Sequence, residues 1–125
     1  MHNDLGFICD SLASQLECYR TLIALTEEER SCLSRKDIAG LNRTMREKES
    51  VLCGIRDIEL SRKEHIESLA AAVHMPAGTM TVSAMIGVAA EPHLSRLRRL
   101  KEEIVDVCGE LTRVNRRNAL LVGRL

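Results

Sequence analysis

A chain of 125 residues is long enough to bury a hydrophobic core as a single domain, and 45% of its residues are hydrophobic. Only 2% are aromatic, so Leu, Ile, Val, Ala and Met must fill the core, which favours helices over a β-sandwich. The formal net charge of zero argues against nucleic acid or an anionic membrane as the main partner. No apolar run is long enough to span a bilayer, and no signal peptide is recognisable.

The cysteine pattern favours core packing over a redox or metal-binding role. The five cysteines show neither a CxxC pair nor a usual zinc spacing, and they are Cys9, Cys18, Cys32, Cys53 and Cys108. An odd number fits a reduced, cytoplasmic protein whose cysteines pack as small apolar residues. We therefore predict no metal, no cofactor and a cytoplasmic location.

The first predicted helix covers about residues 4–33. An apolar face follows the helical repeat and consists of Leu5, Ile8, Leu12, Leu16, Tyr19, Leu22 and Leu25. The segment from Thr26 to Glu29 has the form of a capping box, where a second helix would start. Because the apolar phase continues to Cys32 and Leu33, we expect one continuous helix.

The second predicted helix covers about residues 37–74, with Asp37 as its N-cap. Its apolar face consists of Leu41, Met45, Leu52, Ile55, Ile66, Leu69 and Val73. Lys48, Glu59 and Arg62 lie on or beside this face, where an isolated charge is costly. We interpret them as internal ion pairs that fix the register, with Glu17 as a candidate partner, in preference to a binding site.

Pro76 and Gly78 mark a break after the second helix. A short helix over about 81–89 follows, capped by Thr79 or Thr81, and a last helix covers about 92–124. At 1.5 Å per residue, the last helix is about 50 Å long. We find no strand signal. The predicted fold is all-α: an elongated antiparallel bundle of three long helices with one short helix between the second and the last, forming one domain over residues 1–125.

The last helix carries the strongest pattern of the chain, an apolar seam whose steps alternate between three and four residues. The seam consists of Leu97, Leu100, Ile104, Val107, Leu111, Val114, Asn118, Leu121 and Leu125. Asn118 interrupts it, with Asn115 alongside. A polar seam residue usually specifies register, and we favour that role over direct contact with a foreign chain.

Charge is unevenly divided between the first and last helices. The segment 1–29 has six acidic residues and one basic residue, whereas the segment from Leu94 onward has eight basic and four acidic residues. The two helices are therefore expected to attract each other. If they run parallel, Arg113, Arg116 and Arg117 lie near the acidic run of residues 27–29.

No sequence motif indicates catalysis. The chain lacks a phosphate-binding glycine loop, a nucleophile elbow, a metal-binding helix motif and the Glu-x-x-His pairs of di-iron bundles. A helical mutase would use Arg, Lys and Glu inside the bundle, but the first helix offers only Arg20. We predict that the protein is not an enzyme.

In chain order, several stretches together resemble the FlgN family of flagellar export chaperones. They are Leu16–Leu25, Glu28–Arg30, Asp37–Ile38, Lys48–Glu49 with Leu52 and Ile55, Glu59 with Arg62, and Asn115–Leu121. Each stretch alone is weak. Their order, the Pro/Gly break and the closing Asn-x-x-Asn make the likeness specific over nearly the whole chain.

The resemblance implies a non-enzymatic helical chaperone of the cytoplasm. Such proteins bind the C-terminal segments of the hook-associated proteins, commonly called FlgK and FlgL, keep them soluble and deliver them to the export gate. The family's binding region lies toward the last helix. Here it maps to Val107, Leu111, Val114, Asn115, Asn118, Leu121, Val122 and Leu125.

Elementary physical chemistry is compatible with that role. A long helix with surplus apolar surface can bind an amphipathic segment by helix-in-groove recognition. We expect the last helix to serve as bundle core up to about Val107 and as client surface beyond it. The same heptads also fit a homodimeric coiled-coil scaffold without a secreted client.

Overall fold

The computed structural model describes residues 1–123 and is built from helices, which confirms the predicted all-α class. The elements are α1 (His2–Arg35), α2 (Ile38–Ala72), a 3-10 turn (Ala77–Thr79), α3 (Val82–Val88) and α4 (His93–Gly123). Three helices are long and one is short, as predicted. The bounds differ from those expected by one or two residues at most ends, and α4 starts one residue after Pro92.

α1 continues through the segment that resembles a helix start. Thr26 is fully buried, and its hydroxyl donates a 2.7 Å hydrogen bond to the carbonyl oxygen of Leu22, one turn earlier. The hydroxyl is therefore not free to cap a new helix. The prediction of one continuous helix is confirmed.

A tight turn joins α1 to α2. Lys36 adopts the left-handed conformation that commonly ends a helix, with φ of 57°. The Asp37 carboxylate then accepts a 3.0 Å hydrogen bond from the backbone N–H of Gly40, which confirms Asp37 as the N-cap of α2. In the same way, Thr81 rather than Thr79 caps α3, by accepting from Ala84 at 3.2 Å.

α1 is the central helix of the bundle, since it packs along both α2 and α4. α2 runs antiparallel to α1, because the turn between them is only two residues long. α4 runs parallel to α1, and three ion pairs follow this seam in order: Asp10–Arg96 at 2.8 Å, Arg20–Glu103 at 3.5 Å and Glu27–Arg117 at 2.9 Å. Among the described residues, α2 and α4 do not pack extensively against each other.

The hydrophobic core is concentrated at one end of the bundle, which we call the capped end. The 3-10 turn packs on α2 and α3 packs on α4, so the segment between α2 and α4 covers α1 there. Met80 and Met85 are buried in the core cluster. The other buried members of the cluster are Leu5, Ile8, Cys9, Leu12, Leu16, Leu69, Ala70, Leu97 and Leu100.

The opposite end, which we call the open end, contains α1 from about residue 19, α2 up to about residue 55 and α4 from about residue 108. Its interior is more polar. Buried Thr26, Thr44 and Asn118 lie there beside Leu22, Cys32, Ile55 and Val114. No segment among residues 1–123 covers this end as the 3-10 turn and α3 cover the other.

Of the charged residues beside the apolar face of α2, only Lys48 forms a predicted ion pair within the described residues, whereas Arg62 and Glu59 hydrogen-bond to neutral side chains of α1. Lys48 contacts Glu29 at 3.3 Å, and Arg62 donates to Ser11 Oγ at 3.1 Å and to Gln15 Oε1 at 2.8 Å. The prediction of Glu17 as their partner is wrong. Glu17 instead pairs with Arg20 on its own helix.

No helix in the described part of the chain is both long enough and apolar enough to cross a membrane.

Candidate functional site

The sequence directs attention to the second half of α4, which lies at the open end of the bundle. Here α4 faces α1 along a parallel seam. Val107 is half-buried and packs against the core cluster of the capped end, and Leu111 and Leu121 are also half-buried. These three residues therefore divide their surface between the bundle and solvent.

Two of the predicted binding residues lie inside the seam. Val114 is 1% exposed and Asn118 is 4% exposed. Asn118 Nδ2 donates to the carbonyl oxygen of Thr26 at 2.7 Å and to Glu29 Oε1 at 3.0 Å. These contacts hold α4 against α1, so neither side chain is part of the solvent-accessible surface.

The remaining predicted residues differ in their placement. Asn115 is exposed, and Val122 is 53% exposed. Leu125 lies outside the described residues. Leu120, which sequence reasoning did not select, is 60% exposed. A leucine displaced by one position from a heptad seam, near the end of a helix, is the signal that identifies it.

Glu29 is the residue through which the three long helices meet at the open end. Its Oε1 accepts from Asn118 of α4, while its Oε2 lies 3.3 Å from Lys48 Nζ of α2. The Glu29 carboxylate and the Lys48 ammonium group are both largely buried, and each oxygen of the carboxylate has a hydrogen-bond donor. This shared carboxylate fixes the edges of α2 and α4 on either side of α1, although those two helices do not pack together.

A shallow pocket of about 220 Å³ lies where the last two turns of α1 meet the end of α4. Arg30 and Ser34 of α1 and Arg117, Leu120 and Leu121 of α4 line it. Arg117 pairs with Glu27, while its buried Nε atom has no hydrogen-bond partner within the described residues. The pocket therefore combines leucine surface with guanidinium groups, a combination suited to an amphipathic, acidic segment.

The structure also exposes apolar residues that sequence reasoning placed on the packing face of α2. Met45 is 51% exposed and Leu52 is 42% exposed. Ile38, at the start of the helix and outside the predicted face, is more exposed still. All three belong to the open end. The apolar repeat placed Met45 and Leu52 on the packing face, but it does not indicate which part of that face is covered by another helix.

The arrangement gives no catalytic constellation in the described residues. Arg20, the residue considered for a mutase, is exposed and engaged with Glu17 and Glu103. Within residues 1–123, no group of three or more His, Cys, Asp or Glu side chains is placed to hold a metal ion. Burial raises the pKa of the Cys9 and Cys108 thiols, which makes them less reactive.

Comparison with known proteins adds the family. No curated protein and no solved structure matches the chain significantly. The family model described as FlgN protein matches residues 7–125, which is nearly the whole chain. The match includes the buried α1–α4 seam, the Glu29 junction and the exposed end of α4. The chain therefore belongs to the FlgN family of flagellar export chaperones.

Proposed function

We propose that this protein is a cytoplasmic chaperone that binds the C-terminal segments of hook-associated proteins of the FlgK and FlgL type through the last part of α4. It holds them soluble and brings them to the flagellar export gate. Membership of the family supports the chaperone role in flagellar assembly. The choice of client segment and the use of α4 are our inference from the exposed surface.

The observation that carries this proposal is the exposed apolar end of α4. Leu120 and Val122 are both more than half exposed, and Leu121 between them lines the pocket beside Arg30 and Arg117. Fully burying a Leu or Val side chain contributes about 1.5–3 kcal/mol. Leu120 and Val122 have the exposed part of this surface left to bury, and together with the pocket they offer apolar contact to one face of an amphipathic helix.

Binding also involves charge in this proposal. From Leu111 to Gly123, α4 contains Arg113, Arg116 and Arg117 and no acidic residue. A client helix with acidic residues beside its apolar face is therefore favoured over a basic one. Release requires no chemistry, because a competing partner at the export gate suffices.

The test uses point substitutions in the full chain. Truncation of α4 is unsuitable, because it removes Val114 and Asn118 from the bundle seam and disturbs the fold. We expect the double substitution Leu120→Asp, Val122→Asp to weaken binding of a hook-associated protein's C-terminal segment at least about tenfold, since both apolar contacts are lost. Fluorescence anisotropy with the labelled segment measures this change.

The control is Val105→Asp, which places one negative charge on an exposed apolar residue of α4 nearer the capped end, and the single substitutions Leu120→Asp and Val122→Asp are its charge-matched counterparts. We expect Val105→Asp to bind within twofold of wild type. Equal binding by the Leu120→Asp, Val122→Asp variant and wild type would refute the site. Absence of binding by the wild-type chain to every hook-associated segment of its organism would refute the function.

A further inference from the structure

We infer that α2 supplies a second wall of the client site, so that a helical client segment lies between α2 and α4 at the open end and contacts Met45 and Leu52. This inference rests on the proposed function and assigns a binding role to a helix outside the last one. The proposed occupant is an amphipathic helix with an apolar face and acidic edges.

The first observation concerns one column of residues on α2, which we call the α2 column. Its members are separated by seven positions and share one side of the helix: Ile38, Met45, Leu52, Glu59, Ile66 and Val73. Ile66 and Val73, at the capped end, pack against the core cluster. Ile38, Met45 and Leu52, at the open end, are exposed. The same side of α2 is thus covered in one half and bare in the other.

The second observation shows which way the α2 column faces. Lys48 lies three residues from Met45 and four from Leu52, so the three side chains are neighbours on one helix face. Lys48 reaches Glu29, and the same carboxylate reaches Asn118 of α4. The exposed part of the α2 column therefore borders the gap between α2 and α4, on the side of α1 where Glu29 lies.

The third observation identifies the kind of structure that fits this gap. At the capped end, the 3-10 turn and α3 lie over α1 and bury Met80 and Met85 in the core. At the open end, no segment of residues 1–123 takes that place. A helix from a partner would extend the same layer, and the flexible Met45 side chain adapts to a varied apolar face.

Charge complementarity specifies the partner further. Arg46 and Arg56 are exposed beside the α2 column and form no ion pair within the described residues. From Ile38 to Arg56, α2 has four basic and two acidic residues, of which Glu47 pairs with Arg43, and Asp57 and Glu59 follow nearer the capped end. On the opposite side, α4 beyond Glu110 is basic through Gly123. Basic residues on both walls favour a helix with acidic edges over a second copy of this electrically neutral chain.

The experiment compares Met45→Asp and Leu52→Asp with Leu60→Asp in the full-length protein. Leu60 is an exposed leucine of the same helix that lies outside the α2 column and nearer the capped end, so its substitution adds the same charge outside the exposed part of the column. The probe is the fluorescently labelled C-terminal segment of an FlgK-type protein from the same organism. We expect at least fivefold weaker binding for Met45→Asp and for Leu52→Asp, and less than a twofold change for Leu60→Asp.

The outcomes separate the two proposals. If the wild-type chain binds the segment and all three variants bind equally well, α2 is not part of the site, while the proposed function stands. If the wild-type chain does not bind, the proposed function fails and this inference fails with it. Circular dichroism of each variant verifies its fold, and since both residues are exposed we expect wild-type helicity.

Photocrosslinking gives an independent readout that does not depend on affinity. A benzophenone amino acid at position 45 should form a covalent adduct with the client segment, whereas the same group at position 60 should not. A position-45 crosslink between two copies of the chain in place of a client adduct, with a dimer in light scattering, would overturn the assignment in favour of self-association.

Discussion

Asn118 of α4 donates a 2.7 Å hydrogen bond to the backbone carbonyl oxygen of Thr26 in α1, and both residues are buried. The amide thereby fixes the axial position of α4 along α1. An apolar side chain would pack at several positions along the seam, whereas this amide finds its two acceptors, Thr26 O and Glu29 Oε1, at only one. This contact explains why the seam of α4 tolerates a polar residue.

The first prediction is that Asn118→Ala lowers the free energy of unfolding by about 1–3 kcal/mol. The substitution leaves Glu29 Oε1 without its buried donor and removes packing volume from the seam. Urea denaturation monitored by circular dichroism measures the change. Asn115→Ala, at an exposed position three residues earlier, should stay within about 0.5 kcal/mol of wild type. Equal effects of the two substitutions would contradict the role of Asn118.

The second prediction concerns two glycines of α2 for which the same substitution has opposite effects. A Cβ atom at Gly40 would overlap the Asp37 carboxylate and lie 2.9 Å from Cys32 Sγ, whereas one at Gly54 meets nothing within 4 Å. Gly40→Ala displaces the N-cap and should destabilise the protein by about 1–2 kcal/mol. Gly54→Ala should stabilise it by about 0.5–1 kcal/mol, since alanine is the better helix former.

Thermal denaturation of the two glycine variants side by side distinguishes this account from helix propensity alone. Propensity predicts that both variants are more stable than wild type. A melting temperature above wild type for Gly40→Ala would show that Asp37 and Cys32 relax without cost.

The third prediction concerns Arg62, whose burial lowers the pKa of its guanidinium group. Arg62 donates to Ser11 and Gln15 across the α1–α2 seam. Arg62→Met keeps the apolar stem and removes the donors, which leaves Gln15 Oε1 unpaired. We expect a loss of about 1–3 kcal/mol in the free energy of unfolding. Chemical denaturation measures it, with Arg56→Met at an exposed position of α2 as the control.

A loss confined to Arg62→Met would show that the α1–α2 register depends on this polar contact. If Arg62→Met were as stable as wild type, apolar packing would compensate for the lost hydrogen bonds, as it does for some buried ion pairs.

Local signals in the sequence were sufficient to predict the helices and the Asp37 cap, and they narrowed the cap of α3 to Thr79 or Thr81. Asp37 and Thr81 cap helices because their side-chain oxygens accept from a backbone N–H three residues later, a relation within one turn. The parallel pairing of α1 with α4, and with it Glu27 near Arg117, followed from charge distribution and an up-down-up path. The caps depend on residues close in sequence, and the parallel packing of α1 and α4 depends on the topology of the chain.

Exposure depends on tertiary placement, and the sequence did not predict it. Val114 and Leu121 occupy equivalent heptad positions, yet Val114 is buried and Leu121 is half-buried, because Leu121 lies beside the last turn of α1 and lines a surface pocket there. Met45 and Ile66 likewise share one column of α2 but differ in burial. The partner of Lys48 was missed for a related reason: the two-residue turn sets which residue of α1 lies opposite, and that residue is Glu29, not Glu17.

The fourth prediction concerns acid stability and depends on Asp4, near the start of α1. Asp4 Oδ1 lies 3.0 Å from His65 Nδ1 of α2, and Phe7 stacks on the same imidazole. The hydrogen bond from His65 is the main cause of a lowered pKa for the Asp4 carboxyl group, assisted by Ser68 and the N-terminal amine and opposed by burial. The folded state therefore favours ionised Asp4 more than the unfolded chain does.

The sign of the pH dependence follows by linkage. A depressed carboxyl pKa contributes stability above the unfolded value of 3.8, and that contribution is lost as the pH falls through the lower folded value. Asp4→Asn should therefore be less stable than wild type at pH 5, and the difference between the two should shrink as the pH falls from 5 toward 2. Urea denaturation across this range measures the difference in unfolding free energy. In a His65→Ala background the same comparison should show a smaller pH dependence, because the principal hydrogen bond to the carboxylate is gone; an unchanged dependence there would assign the effect to the N-terminal amine and Ser68 instead.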